Sequence, residues 1–480
     1  MTPESKLLVN QAGDPIDPTG GFETEYGQKC TVHRSESIGA ARLNPGYLLA
    51  LAHGAVTPNV YCEDGSRRYI DVGDHPEYCT AEDIVALHAA YRVLTGHIAM
   101  ADDFSRGAAV TESRMAADDD PGTVAVSLIA NTTDDYGNSW ARHMNILAPR
   151  ALMPADYIPA LVAHRASRIV WSGAGHVLQR GTSGFQYCLS EKAEFIEEEY
   201  GEETTQNRPL VNSRDEPLSD SDLYRRIHDV AGESVFSPRV MALQLASEAL
   251  ILKACGLGEK FDDLKPVWGP HAIQTISRDP SLNAVVELDG GLRCTGVQLQ
   301  HEIASRAISA VERAKLMTPQ DKVYKTIWLA ILDDLEHGRF TDKNGKHQFD
   351  WVPKRRRIDA GLRSATRKHS DYVTAAMMSR EYHQILPREG TGMKLVRAGG
   401  FVDAPKKEVL EQGPGLPPTR GGLRGQAIGR LEHKRVPYIV NWDHLKVDDG
   451  ANGSQPTVIL KDPFAAEDGR VEKVLRSVAA

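Results

Sequence analysis

Gly21-Phe22-Glu23-Thr24-Glu25-Tyr26-Gly27 and, further on, Arg67-Arg68-Tyr69-Ile70-Asp71-Val72-Gly73-Asp74-His75-Pro76-Glu77-Tyr78-Cys79-Thr80 are the stretches on which the reading of this chain turns. A strand repeats every two residues, so an extended Phe22 to Gly27 puts Glu23 and Glu25 on one face. In the second stretch Arg67, Tyr69 and Asp71 share a face, and Arg68, Ile70 and Val72 take the other. A guanidinium, a phenol and a carboxylate in one row do not make a core face, and the turn-prone continuation adds His75 and Glu77. Carboxylates gathered in this way suit a hard cation such as magnesium, which is often held by one or two of them together with nucleotide phosphates. A solvent-facing acidic edge strand is the plainer alternative and stays open at this level.

Working outward, Asn44 to Ala52 and residues 81–100 have helical periodicity, with Thr80 as the expected N-cap of the second helix. Val124 to Ile129 is an expected strand, residues 155–170 an expected helix, and residues 238–256 the clearest long helix. Strands and helices mix without a strict alternation, which indicates an α+β fold. Residues 1–20 are expected to be a flexible leader, and the Pro/Gly/Lys/Arg-rich stretch from Gly400 to Gly425 a linker or exposed loop system. The division is therefore 1–20, 21–400 and 401–480, the last a small C-terminal domain.

The chain has 480 residues, 41% hydrophobic and 25% charged, which is the composition of a globular protein with a sizeable core. A formal net charge of -9 argues against a nucleic-acid binder that works by broad phosphate neutralisation. The six cysteines are scattered singly, without zinc-site spacing or disulfide density, and indicate a reduced, cytoplasmic protein. No segment reads as a signal peptide or membrane span.

Three further segments offer chemistry. Asn131 to Ser139 reads as a hairpin loop leading to His143, which can be a metal or phosphate ligand or an ordinary structural histidine. Asn212-Ser213-Arg214-Asp215-Glu216-Pro217 can clamp phosphate or pair internally. The basic run Lys354 to Arg357 is either a solvated helix face or a binding surface for an acidic partner.

The order of the segments is more specific than any one of them. GFETEYG, the Arg67 to Glu82 stretch, the Asn131 to Ser139 loop, the Asn212 to Asp220 stretch and the closing Trp442-Asp443-His444-Leu445-Lys446 and Lys461-Asp462-Pro463-Phe464 resemble the family of Pup ligases and Pup deamidases (depupylases) from about residue 20 to residue 465. The resemblance implies a glutamine-synthetase-like large domain with a curved antiparallel sheet that holds ATP and Mg²⁺. It implies Glu23, Tyr69 and Glu77 as metal ligands, Arg67, Thr80 and Trp442 as ATP contacts, and Asp71 as catalytic base. Glu25, His143 and Arg214 resemble residues near metal or phosphate.

The implied reaction is ATP-dependent ligation of a carboxylate to an amine through an acyl phosphate, joining the C-terminal glutamate of Pup to a lysine amine. A related enzyme acting on small acids or amino acids is the alternative, with a depupylase or a non-catalytic ATP-binding protein behind it. The short connection from Gln28 to Arg67 resembles the ligase branch, the deamidase branch having a long insertion there. Two departures stand out: Met144 where the family usually has Glu, and Leu218 where it usually has His.

Overall fold

The computed structural model describes residues 4–477 apart from 11, 35–38, 135–136, 365–367 and 448–455. Asp135 and Tyr136 of the expected hairpin loop therefore lie outside the described residues. Strand β1 (Gly20–Glu25) continues after Tyr26 into β2 (Gly27–Arg34), and the two enter different sheets. Next come β3 (Ala40–Arg42), the helix Pro45–His53, β4 (Asn59–Tyr61), β5 (Arg67–Asp71) and β6 (His75–Cys79). The helix Ala86–Ala117 leads to β7 (Gly122–Ile129) and β8 (Arg142–Pro149). After a separate hairpin, β9 (His176–Arg180) and β10 (Gly184–Cys188), follow β11 (Glu198–Gly201), β12 (Pro209–Asn212) and β13 (Tyr224–Asp229).

The main sheet has eight strands in the order β11-β12-β13-β8-β1-β6-β5-β4. Its pairings are antiparallel except β11 with β12, which is parallel, because residues 202–208 return the chain to the start of β11. The expectation of an antiparallel sheet thus holds for all but this outer pair. A second sheet sets Gln384–Leu386 beside β7, β2 and β3. Mixed helix and sheet, without βαβ alternation, is the fold class read from the sequence.

The helix expected over 81–100 begins only at Ala86 and runs to Ala117, and Thr80 is not its cap. The delay has a local cause. Asp83 and Gly20 still exchange both backbone hydrogen bonds, extending the sheet past β6, and Asp83 Oδ1 accepts the Val85 N–H. The Thr80 hydroxyl accepts the Phe22 N–H at 3.0 Å. The helix Pro45–His53 starts as expected, with the Asn44 side chain accepting from Gly46.

The helix Pro238–Gly256, capped by Ser237, is buried along nearly its whole length. Its Ala and Leu residues explain that, but Glu248 at 0% exposure needs a partner. Arg165 supplies Nε at 2.9 Å and Nη2 at 2.7 Å, and Arg168 supplies Nη1 at 2.7 Å. Both arginines also pair with Asp229 at the end of β13, and Arg165 Nη1 donates to the His228 carbonyl at 3.1 Å. Removing one member leaves a buried charge uncompensated. Glu248→Ala is accordingly expected to cost about 3–5 kcal/mol, read as a lowered urea midpoint; a cost under about 1 kcal/mol would show that the network does not hold this core.

The segment expected as a leader lies against the main body over its described part. Lys6 pairs with Asp156 at 2.7 Å, and Asp17 accepts from the Thr318 hydroxyl at 2.7 Å. The Gly400–Gly425 stretch is also more ordered than a linker. Phe401 and Leu410 belong to the main core, and the helices Lys407–Gln412 and Arg420–His433 occupy much of it. A second, smaller core runs from Leu423 to Leu475 and includes the three-stranded sheet Tyr438–Val440, His444–Val447 and Thr457–Ile459. Among the described residues no helix is long and apolar enough to cross a membrane.

Candidate active site

Strand register builds the site. Glu23 pairs with Cys79 on β6 and with His143 on β8, Glu25 pairs with Glu77, Tyr69 pairs with Glu77, and His228 on β13 pairs with Asn145. Directly paired residues share a face, so His228, His143, Glu23, Glu25, Glu77, Tyr69 and Asp71 form one row across five adjacent strands. Three donor groups lie with their atoms within 4.8 Å of one another: Glu25, Asp71 and Glu77; Glu23, Glu77 and Cys79; Glu23, His143 and His228. Tyr69 Oη donates to Glu77 Oε2 at 2.6 Å.

Ionised carboxylates at that separation repel by about 3–4 kcal/mol per pair at an effective dielectric constant near 20. The cluster responds by dividing its charge. Burial, and then the Glu23 and Glu25 carboxylates, push Glu77 well above the usual carboxylate range. Burial also works to raise Glu23, but the His143 hydrogen bond and the positive charge around it, that of Arg226 included, outweigh it and hold Glu23 well below that range. Burial, followed by the neighbouring His143, pushes His228 well below the usual imidazole range, and among the described residues neither of its ring nitrogens has a hydrogen-bond partner; Nε2 stands 3.7 Å from Glu23. Carboxylate and phenol oxygens fit a hard ion such as Mg²⁺, and a neutral imidazole with unused lone pair extends the donor set.

Beside this row opens a cleft that is partly open to solvent. Its lining includes Phe22, Glu23, Thr80, Arg226, Leu218 and Trp442. Arg67 lies over the Tyr69 ring at 4.0 Å and donates to Asn59 at 2.8 Å. The residues singled out in the sequence therefore converge, with one exception. Arg214 stands on the rim, 54% exposed, paired with Glu216 at 3.1 Å.

Met144 pairs with Phe22, is 2% exposed and sits in the main core, so that departure falls on the face opposite the acidic row. Leu218 lines the cleft with a backbone φ of 47°. Sequence reading missed Arg226 and His228, whose period-two spacing in Tyr224–Asp229 was the available signal, and it assigned no role at the site to Glu82, Arg420 and Arg424. The basic run also divides: Lys354 is buried and donates to Glu191 at 2.8 Å and Gly175 O at 2.5 Å, while Arg355 lies over the Tyr187 ring at 4.9 Å.

A family model described as Pup-ligase protein matches residues 17–446. The chain belongs to the Pup-ligase family. It is 33% identical to the Pup–protein ligase of Sanguibacter keddieii over 473 residues, covering 95% of this chain and 98% of that one. Against the Pup–protein ligase of Kribbella flavida it is again 33% identical, with 95% and 99% covered. Among solved structures it is similar to the Pup ligase PafA in complex with Pup, with a TM-score of 0.80, 25% identity, and 96% of this chain and 91% of that chain covered. The PafA complex with ADP gives a TM-score of 0.72 at 27% identity, with 88% and 90% covered. Membership in the Pup-ligase family makes the chain an enzyme of the carbon–nitrogen ligase class.

Proposed function

We propose that the protein uses ATP to activate a carboxylate of the C-terminal glutamate of Pup as an acyl phosphate and joins it to a lysine amine. The observation that carries this is the placement of Asp71 within the Glu25 and Glu77 cluster, on the row that borders the Trp442 cleft, in a chain of this family. The complexes of PafA with Pup and with ADP support both substrates. We read the fold as glutamine-synthetase-like, with a catalytic part over 21–400, a small domain over 401–480, and residues 1–20 as an appended segment. The six cysteines, all unpaired thiols, support a cytoplasmic location.

In this reading Glu23, Tyr69 and Glu77 would hold Mg²⁺, with Glu25 and His143 beside them, and Arg214 on the rim would offset phosphate charge. Bound magnesium supplies neutralisation of phosphate charge. Arg67, Thr80 and Trp442 contact the nucleotide, Arg67 offsetting negative charge as the phosphoryl group moves. A lysine amine with an ordinary pKa near 10.4 is neutral in only about one molecule in a thousand or fewer at pH 7, a penalty of roughly 4–5 kcal/mol. Asp71 takes its proton as attack makes the nitrogen acidic, and Glu25 orients the ammonium beforehand. The short connection from Gln28 to Arg67 supports a ligase over a deamidase.

The test is purified protein with ATP, Mg²⁺, Pup ending in glutamate and a lysine-bearing protein. ADP, phosphate and a conjugate lighter than its two parts by one water are expected. AMP with pyrophosphate would overturn the acyl-phosphate route, and turnover with free glutamate but not with Pup would overturn the donor.

A further inference from the structure

Glu82 follows Thr80 by two residues and is 14% exposed at the back of the cleft. Two guanidiniums from the first turns of the helix Arg420–His433 converge on its carboxylate. Arg420 Nε donates to Oε1 at 2.7 Å, and Arg424 Nη2 donates to Oε2 at 2.9 Å. Each arginine then reaches a different stretch of chain. Arg420 Nη1 donates to the Leu218 carbonyl at 2.6 Å, while Arg424 Nη1 donates to the Trp442 carbonyl at 2.9 Å. The Arg424 guanidinium also lies 4.7 Å from the centre of the Trp442 ring.

Leu218 and Trp442 come from distant parts of the sequence, and both line the cleft. Leu218 has a left-handed backbone that a leucine rarely adopts, so a contact has to hold it, and the Arg420 hydrogen bond is placed to do so. Burial works to raise the Glu82 carboxyl, but the charges and hydrogen bonds of Arg424 and Arg420 outweigh it and hold it at about 2. One ionised carboxylate thus ties the main sheet to two walls of the cleft, and none of these groups takes part in the proton or phosphoryl steps above.

We propose that Glu82 is a positioning residue that sets the Trp442 and Leu218 walls through Arg424 and Arg420 and thereby governs nucleotide affinity. This rests on the reading of the cleft as the nucleotide site. A buried ion pair that merely held the fold together would lower stability and turnover alike. A positioning pair splits the kinetics.

The experiment measures ADP affinity by calorimetry with Mg²⁺ for wild type, Glu82→Gln, Trp442→Ala and the double variant, with steady-state kinetics alongside. Glu82→Gln is expected to weaken ADP binding and raise KM for ATP by about tenfold, while kcat at saturating ATP stays within about threefold. The double variant should lose clearly less than the product of the two single losses, because both act through the same indole. Multiplicative losses, an unchanged ADP affinity in Glu82→Gln, or equal falls in kcat and kcat/KM would each overturn the inference. If Glu82→Gln does not fold, Arg424→Lys takes its place in the cycle, since it keeps the charge and loses the fork. Failure of wild type to bind ADP, or an unaffected Trp442→Ala, would instead overturn the nucleotide reading of the cleft.

Discussion

Asp71→Asn is expected to slow amide formation by about 10²–10⁴-fold, with ADP affinity in the presence of Mg²⁺ left within about threefold. The reason lies in where Asp71 stands. It closes the Glu25 and Glu77 group at the end of β5, while the cleft is lined from β1, the end of β6 and the Trp442 segment. Asparagine keeps the size and a carbonyl lone pair but cannot take up the lysine proton, so attack has to wait for the rare neutral amine. Single-turnover formation of the isopeptide, measured beside ADP titrations, separates the two effects. A loss of ADP affinity as large as the loss of rate would place Asp71 among the metal ligands and remove its role as base.

Glu23→Ala and Glu77→Ala should behave in the opposite way, abolishing Mg²⁺-dependent ADP binding by at least about 100-fold. Glu23 is the one residue shared by two of the three donor groups on the row that the bordering cleft also includes in its lining. Glu77 stands in two of the groups as well and fixes the Tyr69 hydroxyl. Removing either takes away a ligand and leaves the remaining donors misaligned. Calorimetric ADP titrations with and without Mg²⁺ decide the matter. A variant that keeps the magnesium-dependent increment in affinity would exclude its residue from the ligand set.

Much of this site was legible because strand alternation is a local property. Glu23 with Glu25, and Tyr69 with Asp71, fall on common faces from their spacing alone, and the structure brings those faces into register. What sequence could not supply was the pairing of distant strands. His228 enters the row only because β13 lies against β8, eighty or so residues away in the chain. Helix boundaries failed for a related reason: Asp83 continues a ladder with Gly20, a long-range contact that postpones the helix until Ala86. The stretch after Gly400 looked like a linker or exposed loop system because it is rich in Pro, Gly, Lys and Arg, whereas Arg420 and Arg424 are buried and paired with Glu82.

The passage from β1 to β2 through Tyr26 alone limits how this protein can vary in length. Tyr26 is wholly buried, and the strands on either side of it are committed to different sheets. One residue inserted or deleted here has nowhere to bulge. It would rotate β1 by half its repeat, turning Phe22 and Thr24 to the face of the acidic row and Glu23 and Glu25 into the core. Substitution can therefore tune this segment, but a change in its length would erase the acidic row and the fold together.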